Sequence, residues 1–133
     1  MRGNTAYLDS SAFIKTVIEE PHSAAIRDRL LRWPSHASST LLRTECVRAL
    51  NRSGNTNRVG EARRLLSELR LIRLDETLLD RAGELAPLEL RSLDAIHLAA
   101  ALAIGPDLGA LFTYDERLMQ AAMSHGLNVE VPR

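Results

Sequence analysis

Ala6-Tyr7-Leu8-Asp9-Ser10-Ser11 constrains the fold more than any other stretch of the chain. A short apolar run leads straight into a carboxylate, and two serines then open a helical pattern. A strand that ends in Asp and turns at once into a helix delivers that Asp to the carboxyl edge of a sheet. In open α/β sheets ligands bind at that edge, beside the point where strand order reverses. The same arrangement returns late in the chain, where Leu111-Phe112-Thr113-Tyr114 leads into Asp115 and another helix. Asp9 is therefore the first candidate metal ligand, and further carboxylates are sought that the topology could bring to it.

The 133 residues, 45% of them hydrophobic, suffice for one domain with a single core, spanning 1–133. No apolar run approaches the roughly 20 residues of a membrane helix. Arg2 is followed by Gly3, Asn4 and Thr5 rather than by the apolar stretch of a signal peptide. Cys46 stands alone, which excludes an intrachain disulfide and a thiolate zinc site and makes a reducing cytoplasm the expected setting.

Apolar spacing gives an alternating chain. Strands are expected at 5–9, 36–39, 71–74, 110–114 and 127–131. Helices are expected at 10–19, 22–32, 41–51, 58–69, 75–85, 93–103 and 115–125, the third capped by Ser39 or Thr40 and the sixth by Ser92. Short strands alternating with helices predict an α/β fold, a parallel sheet covered on both faces.

Charge is uneven although the net is zero. Segment 43–73 holds eight arginines against three glutamates, whereas 74–133 holds four arginines against ten acids. A basic segment beside an acidic one suits a phosphate-facing surface next to a cation site, although solvated helix faces would look the same. Within the acids, Glu45 interrupts an apolar helical stripe, where an unpaired carboxylate is costly. Asp94 lies in the first turn of its helix, where the unsatisfied amides favour it. Each position has an ordinary structural explanation, an exposed pairing with Arg48 or Arg52 for Glu45 and caps for the aspartates. Together, Asp9, Glu45, Asp94 and Asp115 would repel one another at one sheet edge unless a divalent cation joined them. All-oxygen ligation selects hard ions, Mg²⁺ or Mn²⁺, which serve phosphate chemistry.

Four segments carry a family resemblance. Asp9-Ser10-Ser11-Ala12-Phe13-Ile14-Lys15 with Glu19-Glu20-Pro21 resembles the opening of PIN-domain ribonucleases of the VapC toxin type. Ser39-Thr40-Leu41-Leu42-Arg43-Thr44-Glu45-Cys46-Val47-Arg48-Ala49-Leu50 resembles their second motif, Leu93-Asp94-Ala95-Ile96-His97-Leu98-Ala99 the third, and Phe112-Thr113-Tyr114-Asp115-Glu116-Arg117-Leu118 the fourth. The motifs occur in order over nearly the whole chain. The resemblance implies a PIN-like three-layer sandwich with a central, mostly parallel five-stranded sheet and helices on both faces. It further implies a Mg²⁺- or Mn²⁺-dependent endoribonuclease with Asp9, Glu45, Asp94 and Asp115 as the acidic quartet, and Ser10 and Thr113 orienting carboxylates or water behind it. A homodimer, a cognate VapB-type antitoxin and a structured RNA substrate such as tRNA belong to the same expectation.

Two other classes compete. An Asp after the first strand is also the nucleophile position of aspartyl-phosphate phosphotransferases, but Ser11 stands where that chemistry wants a second Asp. A non-catalytic RNA- or protein-binding module could keep the fold, and the intact quartet argues against it. Other residues are expected to play structural parts: His97 packing on its helix or facing another chain, Trp33 packing, Glu116 diverging from Asp115. Phe13, Val17, Ile18, Ile26 and Leu30 are read as apolar surface for a partner groove.

Overall fold

A computed structural model describes residues 2–133. Its elements run β1 (Thr5–Leu8), α1 (Ser10–Val17), α2 (Ser23–Leu30), β2 (Ser35–Ser39), α3 (Leu42–Arg52), α4 (Val59–Leu66), β3 (Arg70–Ile72), α5 (Glu76–Glu84), α6 (Ser92–Ala103), β4 (Leu108–Phe112), α7 (Glu116–Ser124) and β5 (Val129–Glu130), with 3₁₀ turns at Thr56–Arg58 and Gly105–Asp107. The five strands form one sheet in the order β3-β2-β1-β4-β5. All four pairings are parallel, so the sheet is fully rather than mostly parallel.

Strand alternation assigns the layers. Tyr7 and Leu111 turn to one face, where α5, α6 and α7 cover them through Leu78, Ala82, Ala95, Leu98, Ala99 and Leu118. Ala6, Leu8, Ala110 and Phe112 turn to the other, against Ala12, Ile26 and Leu30 of α1 and α2. A third cluster joins α1 to α3 and α4 through Phe13, Val17, Leu42, Leu50, Ala62 and Leu66. The central strands are buried on both faces, as a helix-covered parallel sheet requires. Each fully buried leucine contributes roughly 1.5–3 kcal/mol of transfer free energy.

Several expected boundaries move. The helix expected over 58–69 is a 3₁₀ turn followed by α4 alone, because the chain must unwind after Leu66 to enter β3 at Arg70. Ser92 is the first residue of α6 rather than its cap, and Arg91 precedes it without a side-chain capping bond. The α3 helix likewise begins without a side-chain cap, although Ser39 Oγ accepts the Leu41 amide at 3.2 Å. Phe13, Val17, Ile26 and Leu30 are buried in the core, leaving only Ile18 of the expected partner groove half-exposed. Trp33 packs edge-on against Phe112, ring centroids 5.3 Å apart, as a packing residue should.

Candidate active site

The topology brings distant carboxylates together. β1 lies between β2 and β4, so the strand order reverses at β1, and the segments after β1, β2 and β4 emerge at one carboxyl edge. Asp9 follows β1 as the N-cap of α1, and Asp115 follows β4 as the N-cap of α7. Glu45 sits in the first turn of α3, just after β2. Asp94 sits in the first turn of α6, whose N-terminus meets the same edge although no strand leads directly into it. All four line one cleft of about 340 Å³, together with Ser10, Ser11, Arg91, Ser92 and Leu93.

Asp9 is the most rigidly held. Its Oδ1 accepts from the Ala12 amide at 2.9 Å and from Ser11 Oγ at 2.7 Å, and its Oδ2 accepts from Thr113 Oγ1 at 2.5 Å. Burial pushes its carboxyl above the usual carboxylate range, against the opposing pull of His97 and those hydrogen bonds. Thr113, itself buried, also accepts the Asp115 amide at 3.0 Å and so ties the two strand-end aspartates together. Ser10 lines the cleft, but the hydroxyl that bonds Asp9 belongs to Ser11, which additionally accepts the Tyr114 amide at 2.9 Å.

Glu45 is fixed from behind by a residue that sequence reasoning set aside. His97 Nε2 lies 2.6 Å from Glu45 Oε1, and His97 Nδ1 lies 2.7 Å from the Tyr7 hydroxyl. The imidazole is 1% exposed, so it neither packs idly on α6 nor faces another chain. Burial disfavours its charged form, but the Glu45 hydrogen bond and the Glu45, Asp9 and Asp94 charges carry its pKa above the ordinary value. Glu45 does not pair with Arg48 or Arg52. A signal for His97 was present: in a helix it lies on the buried stripe with Leu98 and Ala101, and a buried imidazole needs partners at both nitrogens.

Asp94 and Asp115 share one cation. Arg91 Nη2 donates to Asp115 Oδ2 at 3.1 Å, and Arg91 Nε lies 3.4 Å from Asp94 Oδ2. Burial raises the Asp94 pKa, the Asp115 charge raises it further, and Arg91 opposes both. Asp94 Oδ2 is buried yet makes no hydrogen bond. Glu116 is exposed and absent from the cleft lining.

The donor set suits a hard divalent cation: four carboxylates, no thiolate, and one carboxylate oxygen that burial has stripped of water without supplying a donor. Among the described residues, no three acidic, His or Cys groups are already set to hold an ion. The fit therefore rests on donor chemistry and the orphaned oxygen, with Arg91 standing where positive charge is needed.

The model of the PIN domain matches residues 6–123. Ribonuclease VapC46 of Mycobacterium tuberculosis (strain ATCC 25618 / H37Rv) is 48% identical over 126 residues, covering 95% of this chain and 96% of that one. Ribonuclease VapC47 of M. tuberculosis (strain CDC 1551 / Oshkosh) is 38% identical over 130 residues with the same coverage. The chain belongs to the PIN-domain family, among the VapC-type toxins. Among solved structures, M. tuberculosis VapC20, described as a sarcin-ricin loop cleaving toxin, superposes with a TM-score of 0.74 at 19% identity, covering 96% of this chain and 99% of that one. A toxin-antitoxin complex from Klebsiella pneumoniae gives 0.72 at 21% identity, covering 96% and 98%. At such identities these two support the fold alone.

Proposed function

We propose that this chain is a Mg²⁺- or Mn²⁺-dependent endoribonuclease, the toxin of a type II toxin–antitoxin pair, working in the cytoplasm as a homodimer. The observation that carries the reading is the convergence of Asp9, Glu45, Asp94 and Asp115 on one cleft, with a buried Asp94 oxygen left without a donor. The names of the mycobacterial relatives support ribonuclease activity.

Asp9, Asp94 and Asp115 would hold the ion, with Glu45 beside it. A hard ion there supplies positive charge for the scissile phosphate and for an attacking water. The protein's own part is preorganisation. Thr113, Ser11 and the Ala12 amide fix both oxygens of Asp9, so that carboxylate has no rotamer to search when an ion or RNA arrives. His97, braced by Tyr7, fixes one oxygen of Glu45 in the cleft wall, and the other would serve as a proton acceptor. The substrate we favour is structured RNA such as tRNA, bound through the exposed arginines of 43–73. A VapB-type antitoxin would inhibit by covering the cleft, and the exposed Leu79, Leu88, Leu93 and Met123 offer apolar surface to a second copy.

The test is cleavage of an end-labelled tRNA pool by purified protein. Discrete products with Mg²⁺ or Mn²⁺, none with EDTA, and a loss of at least about a hundredfold in Asp9→Asn and Asp94→Asn are expected. Full activity in either variant would remove that residue from the site. Cleavage surviving EDTA would remove the ion.

A further inference from the structure

Among the described residues lining the cleft, Arg91 is the only base. Packing does not hold it there, since its side chain is 63% exposed. Its guanidinium is drawn inward by two carboxylates on different elements, Asp94 of α6 and Asp115 ahead of α7. It touches the Oδ2 atom of each, and these atoms have no other hydrogen-bond donor. The contact to Asp94 is long and poorly aligned, which leaves that buried oxygen unsatisfied. Arg91 is also the last residue before α6, with an extended backbone (ψ 152°), so its side chain can swing out without disturbing the helix.

We propose that Arg91 is a resident counter-cation that competes with the divalent ion for Asp94 and Asp115. The inference rests on the reading of the cleft as a divalent-ion site. The guanidinium bridges the two carboxylates, 3.1 Å from Asp115 Oδ2 and 3.4 Å from Asp94 Oδ2. The guanidinium neutralises the pair while no ion is present, and an arriving ion needs the same two oxygens. Two cations cannot occupy one oxygen pair without strong repulsion, so ion entry requires Arg91 to leave. Arg91 thereby lowers the ion affinity of the free protein and keeps an empty cleft from repelling itself open.

The test is Mn²⁺ binding without RNA, followed by the electron paramagnetic resonance signal of free Mn²⁺. Wild type is compared with Arg91→Ala and Arg91→Gln at low ionic strength and at about 1 M salt. Both variants are expected to bind Mn²⁺ roughly three- to tenfold more tightly at low salt, the range an exposed bridging charge can supply. The gap should narrow at high salt, where the charge of an exposed guanidinium is screened. Arg91→Gln guards against a variant that misfolds, and unchanged circular dichroism identifies folded protein. Wild type that binds saturably while both folded variants bind equally well or more weakly overturns the role of Arg91 and leaves the ion site standing. Wild type with no saturable binding overturns the ion site and, with it, the competition.

Discussion

Asp9 carries three hydrogen bonds and almost no solvent, and its burial has a consequence for stability. Its folded pKa lies above the unfolded value, so between the two the native state holds more protons than the unfolded chain. The Asp9 contribution to the stability of the ion-free protein is therefore greatest below the unfolded value of about 4 and falls as pH rises toward the folded pKa. Asp94 adds a slope of the same sign. Asp9→Asn should flatten this slope while losing cleavage. An unchanged pH–melting profile in that variant would contradict the assignment of burial as the cause. At His97 the expected cost is structural: His97→Ala strands both Glu45 and the Tyr7 hydroxyl, lowering unfolding free energy by about 1–3 kcal/mol in urea. Tyr7→Phe removes one partner and should cost less.

At this scale the sequence was informative where chain geometry fixes a side chain and silent where only packing does. Asp9 and Asp115 were legible because each follows a strand and caps a helix. Thr113 came from the family resemblance, because its bond to Asp9 depends on β1 pairing with β4. Ser11 rather than Ser10 bonds Asp9, because the side chain two residues after an N-cap reaches back over it. Glu45–His97 and Arg91–Asp115 join residues far apart in sequence, and no local pattern announces either, whereas Arg91 and Asp94 are only three residues apart.

At the scale of elements, α6 shows why composition is a packing decision. Ala95, Ala99, Ala100 and Ala101 let the helix lie close against α5 and the sheet, which places Asp94 at the cleft. Ala101→Leu is expected to destabilise by about 1–3 kcal/mol through overpacking, measurable as a lower urea midpoint. Gly109 in β4 makes the same point with backbone. A Cβ there would overlap the Gly3 carbonyl oxygen and the Trp33 indole, so Gly109→Ala should lower the melting temperature sharply. A variant with unchanged melting would show that the N-terminal segment yields easily. Among the described residues, the order of the seven α-helices and five strands was readable from alternating periodicities, and element ends were less so. The edge strands β3 and β5 are only three and two residues long, too short for a periodic signal to mark where pairing stops.

For the whole molecule, a net charge of zero conceals a division of labour. Arg43, Arg48, Arg52 and Arg63 are exposed on α3 and α4, while Arg64 is spent on Glu61 and Glu68. If these helices track phosphates, Arg48→Glu with Arg52→Glu should weaken RNA binding. The slope of log affinity against log salt should fall by roughly 0.7–0.9 for each phosphate that the variant no longer neutralises. An unaltered slope would move the RNA to another face.

The sheet's switch point assembles four carboxylates into one cleft, and the proposed ion belongs there. A crystal of the protein soaked in Mn²⁺, measured at the manganese absorption edge, locates the ion directly. An anomalous peak is expected in the cleft, ligated by oxygens of Asp9 and of Asp94 or Asp115, with Arg91 turned away. A well-soaked crystal with no peak there, or with manganese only elsewhere on the surface, would contradict it.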